Sequence, residues 1–208
     1  SPVAAASIAH PHPQYGGTMH DMVVETLWRT FGAANVATVR FGFRGTGGSS
    51  GAHSGGDLER LDVLAALDHA ASLAPDRPLF ACGYSFGADV LPAIYNRLPA
   101  TEQQRVDAII LLAFARTGSF EIEVEGWLGN AGKEAATGPE MAKLPAAKVV
   151  CIYGEEETDE SGCTDKTAVG EAVKLPGGHH FDENYPALAK RLVELIQKRQ
   201  SKDSVAEE

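Results

Sequence analysis

Gly83-Tyr84-Ser85-Phe86-Gly87 sets a serine between two glycines, directly after the apolar run Leu79 to Gly83 and ahead of a segment that reads as a helix. At a sharp strand-to-helix turn a serine hydroxyl projects clear of the backbone, and flanking glycines remove the side chains that such a bend cannot hold. Ser85 is therefore the candidate nucleophile. A serine attacks a carbonyl only with help: a base to take its proton, an acid to orient that base, and donors for the oxyanion.

Two histidines, His179 and His180, follow Pro176-Gly177-Gly178 in a turn after the last strand signal, where such a base would have to sit. His180, next to Phe181, is the preferred base, with His179 beside it as a substrate contact. The acid belongs just past the apolar run Val149 to Tyr153, in Gly154-Glu155-Glu156-Glu157-Thr158-Asp159-Glu160. Glu157 stands three residues past Gly154 and Asp159 five past it. Either carboxylate fits, and the remaining acidic residues read as a solvated loop. Serine, then acid, then histidine is the chain order of the α/β-hydrolase triad. For the oxyanion, the backbone N–H of Phe86 comes with the nucleophile turn, and Gln14 or Tyr15 is the natural second donor from the loop after the first strand. His10 and His12 share that loop without a nearby third ligand, so no metal is assigned, nor any organic cofactor.

The elements that must hold these residues alternate strand and helix, the pattern of a mostly parallel sheet covered on both faces. A strand covers the start of the chain to Ala9, and the His10 to Thr18 loop is too rich in turn residues for regular structure. A helix buries Val23, Val24, Leu27 and Phe31, with Gly32 as its stop. Val36 to Phe43 is the next strand. A glycine-rich stretch then leads to Asp57, the expected N-cap of a helix carrying Leu58, Leu61, Leu64, Ala65 and Leu67. The helix after Ser85 contains Pro92, where a kink is expected. Val106 to Ala113, Lys148 to Tyr153 and Ala172 to Leu175 are further strands, and a closing helix starting near Asn184 buries Leu188, Leu192, Leu195 and Ile196. The interval from Ala113 to Lys148 leaves no room for a large cap domain, so the site should be open. Within that interval Phe120 to Trp127 alternates like an exposed strand, and Trp127 fits a pocket lining or a packing role equally. Asp89, one turn into the nucleophile helix, fits a partner for a substrate ammonium or a buried structural carboxylate.

At 208 residues, with 44% hydrophobic and 22% charged residues, the chain suits one globular domain spanning residues 1–200, with a disordered tail at 201–208. A formal net charge of −10 argues against a nucleic-acid surface and favours a small or cationic partner. No apolar stretch approaches the ~18 residues of a membrane span, and the opening residues carry no basic segment of a signal peptide. Cys82, Cys151 and Cys163 are too few for a disulfide framework. The apolar settings of Cys82 and Cys151 favour buried thiols, while a bridge from Cys151 to Cys163 would suit an oxidising compartment. Oligomeric state leaves no readable motif.

His10-Pro-His-Pro-Gln-Tyr-Gly-Gly-Thr-Met19 and Arg40-Phe-Gly-Phe-Arg-Gly-Thr-Gly-Gly-Ser49 resemble small capless bacterial α/β-hydrolases of the dienelactone-hydrolase-like kind. That resemblance implies Ser85 as nucleophile, His180 as base and Glu157 as acid, although this chain has glutamate where that family has aspartate. From Gly83-Tyr-Ser-Phe-Gly-Ala-Asp-Val-Leu-Pro92 onward the chain resembles the VirJ virulence proteins and the matching C-terminal domain of AcvB. Tyr95 to Pro99, Gly126 to Gly129, Cys151 to Glu157 and Leu175 to Asp182 carry the likeness. It implies a periplasmic, virulence-linked protein that cleaves aminoacyl esters of phosphatidylglycerol; without it, the cytoplasm would be the expected compartment.

Overall fold

The computed structural model describes residues 1–54, 58–119 and 134–206. Its strands are β1 (Ala4–Ala9), β2 (Val36–Arg40), β3 (Leu79–Tyr84), β4 (Val106–Leu112), β5 (Thr117–Ser119), β6 (Glu134–Ala136), β7 (Val149–Gly154) and β8 (Glu171–Leu175). The helices are α1 (Met22–Ala33), α2 (Glu59–Leu73), α3 (Phe86–Asn96), α4 (Ala100–Arg105), α5 (Gly138–Met141) and α6 (Tyr185–Ala206). Six strands form one parallel sheet in the order β2-β1-β3-β4-β7-β8, and β5 and β6 make a small antiparallel pair. This is the mostly parallel sheet expected from the alternating signals, in the α/β-hydrolase fold that the resemblance implies.

Burial on both faces explains why the central strands read as continuous apolar runs. Alternate residues of those strands face opposite layers. Ala5, Ala81, Ile109, Leu111 and Cys151 pack with Val63, Leu67 and Ala70 of α2 and with Val90, Leu91 and Ile94 of α3. Ala6, Ile8, Phe80, Cys82, Ile110 and Ile152 pack with Val23, Val24, Leu27 and Phe31 of α1 and Leu188, Leu192, Leu195 and Ile196 of α6. Each fully buried Leu or Phe in such a layer contributes about 1.5–3 kcal/mol.

The strand order reverses between β1 and β3: the chain leaves β1 for β2 on one side and crosses back to β3 on the other. In open parallel sheets the crevice beyond the carboxyl ends of the strands at such a point is where ligands bind. The loop after β1 and the turn after β3 meet there, which brings His12 and Phe86 into ring contact.

Several local expectations are corrected. β2 ends at Arg40 rather than Phe43, because the chain turns so tightly that a side chain on Gly42 would meet the Thr46 carbonyl. α1 passes Gly32, and the left-handed residue after the helix is Asn35, with φ 60°; asparagine tolerates that conformation well. α2 turns a different face inward from the leucine stripe. Its buried residues are Glu59, Val63, Ala66, Leu67 and Ala70, while Leu58 and Leu61 are exposed. A carboxylate holds that core position because Ser54 donates to it through both its amide and its hydroxyl. Burial alone would push the Glu59 carboxyl up, but these bonds and nearby His53 hold it below the usual range. The expected Asp57 N-cap lies outside the described residues, as does the Phe120 to Trp127 segment. α3 continues through Pro92 to Asn96. The backbone of α6 is helical through Ala206, over most of the segment expected to be disordered. No glycine or proline interrupts it there, and adding residues to an existing helix is far easier than nucleating one.

Cys82 is a buried free thiol in β3, whereas Cys151 and Cys163 form a disulfide. The bridge is thus the reading that holds, and the buried-thiol reading holds for Cys82 but not for Cys151. The loop of Cys163 folds back under Phe114, so that Cys163 is buried against the same layer as Cys151.

Candidate active site

Ser85 caps α3 with φ 53° and ψ −122°, a conformation sparsely populated by any residue with a side chain. The neighbouring backbones explain why it is held there. A Cβ on Gly83 would run into the carbonyl of Gly87, and one on Gly87 into the carbonyl of Ala9 at the end of β1. The elbow is thus wedged between β1 and β4, with the Ser85 amide bonded to the Leu112 carbonyl at 3.0 Å. The Ala88 and Asp89 amides bond back to the Ser85 carbonyl. This leaves the Phe86 amide at the open first turn of α3, where helical N–H groups lack internal partners.

The histidine that meets Ser85 is His179, not His180. His179 Nε2 lies 2.9 Å from Ser85 Oγ, and its Nδ1 lies 2.8 Å from Glu157 Oε1. The carboxylate requires the hydrogen on Nδ1, which leaves Nε2 to accept from the serine hydroxyl. His180 turns the other way, its Nδ1 2.9 Å from the Tyr84 hydroxyl, and that hydroxyl donates to the His179 carbonyl at 3.1 Å. Tyr84 is buried, and burial pushes its phenol pKa above the ordinary value, so it remains a neutral donor. One residue's difference in the turn decides which imidazole faces Ser85. The loop lies flat over the end of β7, so closely that a Cβ on Gly154 would strike the Gly178 carbonyl, and the Gly177 carbonyl accepts the Glu156 amide at 3.0 Å. Beyond His180, Phe181, Asp182 and Glu183 all have φ between 52° and 55°, a strained left-handed turn held by buried Phe181.

Glu157 closes a single turn of 3-10 helix, Glu155–Glu157, directly after β7. That turn aims it at His179, whereas Asp159 is exposed beyond it. Glu155 pairs with Lys174 at the surface. The site is accessible: the His179 side chain is 40% exposed and that of Glu157 22%.

On the other side of Ser85, the amides of Gln14 and Tyr15 are engaged within their own turn, donating to His12 Nδ1 (3.2 Å) and the His12 carbonyl (3.1 Å). Neither points into the site, so the expected second oxyanion donor is corrected; a 3-10 turn at Pro13–Tyr15 consumes both amides. Tyr15 is 79% exposed. The rings of His12 and His53 pack on Phe86, with centroids 4.5 Å and 5.7 Å away. His10 is buried and uses both nitrogens: Nδ1 donates to the Pro11 carbonyl at 2.6 Å, and Nε2 accepts the Phe43 amide at 3.0 Å. It is therefore neutral, and burial lowers its pKa.

Asp89 Oδ1 accepts the Ala115 amide at 2.9 Å, tying α3 to the segment after β4. Burial pushes its carboxyl well above the usual range, and the Glu157 charge adds to the effect. A buried carboxyl already engaged in that tie is a poor counter-ion for a substrate ammonium. Trp127 lies outside the described residues. Sequence reasoning passed over the Tyr84 tether and the His53–Glu59 pair (3.0 Å) because neither residue type carries a motif there. Among the described residues no helix is long and apolar enough to cross a membrane.

The chain superposes on a lidless α/β serine hydrolase from Xanthomonas campestris, XC6422, with a TM-score of 0.67, 22% identity, and coverage of 95% of this chain and 82% of the other. An α/β serine hydrolase homologue from Coxiella burnetii gives 0.67 at 25% identity, over 93% and 85%. Uncharacterized protein RP471 of Rickettsia prowazekii is 35% identical over 95 residues, which are 45% of this chain and 40% of that protein. The match therefore spans less than half the length of that relative. Residues 53–200 match the family model of the bacterial virulence protein VirJ, and the chain belongs to the VirJ family.

Proposed function

We propose that the protein is a serine hydrolase that cleaves carboxylic esters through an acyl-enzyme. The observation that carries this reading is the unbroken hydrogen-bonded line from Ser85 Oγ through both nitrogens of His179 to Glu157. Ser85 attacks the ester carbonyl as His179 Nε2 takes its proton. Glu157 keeps the imidazole in the required tautomer and stabilises the imidazolium that forms. The tetrahedral oxyanion is received by the Phe86 amide at the open first turn of α3. Collapse returns the proton to the leaving alkoxide, and water then repeats the sequence on the acyl-serine. Family membership and the lidless relatives support a hydrolase scaffold.

For the substrate we propose a small-molecule or lipid ester, with an aminoacyl phospholipid ester as the specific candidate. The formal charge of −10 favours a cationic group such as an aminoacyl ammonium over a polyanion. The disulfide suits an oxidising compartment, in keeping with a periplasmic location.

The test is intact-mass labelling with a fluorophosphonate, run on the wild-type protein and on Ser85→Ala in parallel. One adduct, absent from the variant, is the expected result. No adduct on folded wild-type protein would sink the mechanism and leave a binding protein on a hydrolase scaffold.

A further inference from the structure

We infer that the Cys151–Cys163 disulfide is a positioning device for the Glu157 carboxylate, so that oxidation of this pair sets the catalytic power of the site; the inference rests on the hydrolase reading above. The bridge joins residues 12 apart, and Glu157 lies midway between them. The segment that carries the acid is therefore a closed loop anchored at both ends.

The two anchors differ from the chain between them. Cys151 sits inside β7, which is paired to β4 on one side and β8 on the other. Cys163 is buried beneath Phe114 in the same hydrophobic layer as Cys151. Past the end of β7 at Gly154, the loop forms single turns of 3-10 helix at Glu155–Glu157 and Gly162–Thr164 and an isolated bridge from Ser161 to Ala115. Apart from the disulfide, the described loop is held chiefly by backbone bonds. The Ser161 and Glu160 amides donate to the Glu157 carbonyl at 2.8 and 3.0 Å, the Gly162 amide donates to the Phe114 carbonyl at 2.8 Å, and the Arg116 amide donates to the Glu160 carbonyl at 3.1 Å. The last two fix the loop against the segment after β4, which Asp89 in turn ties to the nucleophile helix. The first two, with the Thr164 hydroxyl donating to the Thr158 carbonyl at 2.6 Å, hold the half leaving β7 to the half that returns by single hydrogen bonds. The disulfide closes the same loop covalently, with Glu157 midway along it. A part-exposed carboxylate on a loop without such closure would sample positions out of line with His179 Nδ1, and a misplacement of about 1 Å can cost about a hundredfold in rate.

Cys82 does not compete for this role in the folded protein. It is buried in β3 and packs in the opposite layer from Cys151. Reduction by a phosphine is balanced simply: the disulfide gains two electrons and two protons to give two thiols, water supplies the oxygen, and the phosphine leaves as its oxide.

The experiment compares Cys151→Ala/Cys163→Ala with wild type, each with and without Glu157→Gln, using the fluorophosphonate labelling rate and ester kinetics well below the melting temperature of every variant. The expected result is a drop of about tenfold or more in kcat with KM nearly unchanged, and no further drop when the cysteine pair is removed from the Glu157→Gln protein. Unchanged kcat in the folded cysteine variant, or an equal drop in the Glu157→Gln background, would overturn the inference and leave the disulfide a stabiliser of the fold alone. If the double variant does not fold, phosphine-treated wild-type and Glu157→Gln proteins, with free thiols counted by mass, replace it: the same drop supports the inference, and unchanged kcat or an equal drop in both proteins overturns it. A wild-type protein that takes no label overturns the hydrolase reading itself, and this inference with it.

Discussion

The two sides of Ser85 are built by opposite means. Toward His179 and Glu157, backbone crosses backbone: Gly154 lies under Gly178, Gly177 accepts from Glu156, and a disulfide closes the acid loop. Toward His12 and Phe86, rings rest on rings, and the outermost residue, Tyr15, is mostly in solvent. On the proposed hydrolase mechanism, the difference follows from the work asked of each side. Proton transfer along a fixed line tolerates errors of tenths of an ångström, which main chain and covalent closure can hold. A substrate has to enter and leave, and side chains on turns can give way to it.

Predictions can break or sharpen this contrast. The largest effect is expected at the proton line. His179→Ala should lower kcat by about 10³-fold or more, and Glu157→Gln by about 10²-fold or more, whereas His180→Ala and Asp159→Asn should each cost less than about tenfold. Comparable losses at His179 and His180 in ester kinetics would refute the assignment of the base. Gly87→Ala comes next: forcing a methyl group against the Ala9 carbonyl should destabilise the protein by about 3 kcal/mol or more and abolish labelling of Ser85. A urea titration that finds this variant as stable as wild type would show that the elbow has slack.

A smaller effect concerns pH on the ring side. His10 is neutral in the folded protein, with a pKa below the 6.5 of the unfolded chain. Between those two values the unfolded chain binds a proton that the folded protein refuses, so stability is full above about pH 6.5 and falls as pH drops toward the folded pKa. His10→Gln should be less stable at pH 7.5, yet lose less than wild type between pH 7.5 and 5.5 in paired denaturation curves. An identical pH slope would mean that His10 does not report the packing of this loop. The smallest effect is at the rim: Tyr15→Ala should change stability by no more than about 0.5 kcal/mol, with any kinetic change confined to KM. A large fall in its melting temperature would place Tyr15 in the frame instead.

The strand and helix sequence was readable because buried parallel strands and amphipathic helices leave periodic apolar marks, as Val106 to Leu112 and the Val23 to Phe31 face show. Ser85 was readable because its two glycines state a local steric need. Between His179 and His180 the residue types are identical, and the choice is made by Tyr84, nearly a hundred positions earlier, and by the crossing at Gly154. The Gln14 and Tyr15 amides were misjudged for a similar reason: composition marks a turn but does not say which amides the turn itself consumes. The Cys151–Cys163 bridge stayed one of two open readings in the sequence, because Cys163 is buried in the same layer as Phe114, which no neighbour in sequence announces.

Ser85, Glu157 and His179 stand just beyond the ends of three parallel strands, and the hydrogen bond between Ser85 and His179 spans 94 positions of chain. No partly folded form in which β8 had yet to join β7 could present the imidazole to the serine. On the proposed mechanism, reactivity of this one hydroxyl is therefore a clock for completion of the whole sheet, and the rate at which a refolding sample becomes able to take a phosphonyl label would time the docking of its last strand.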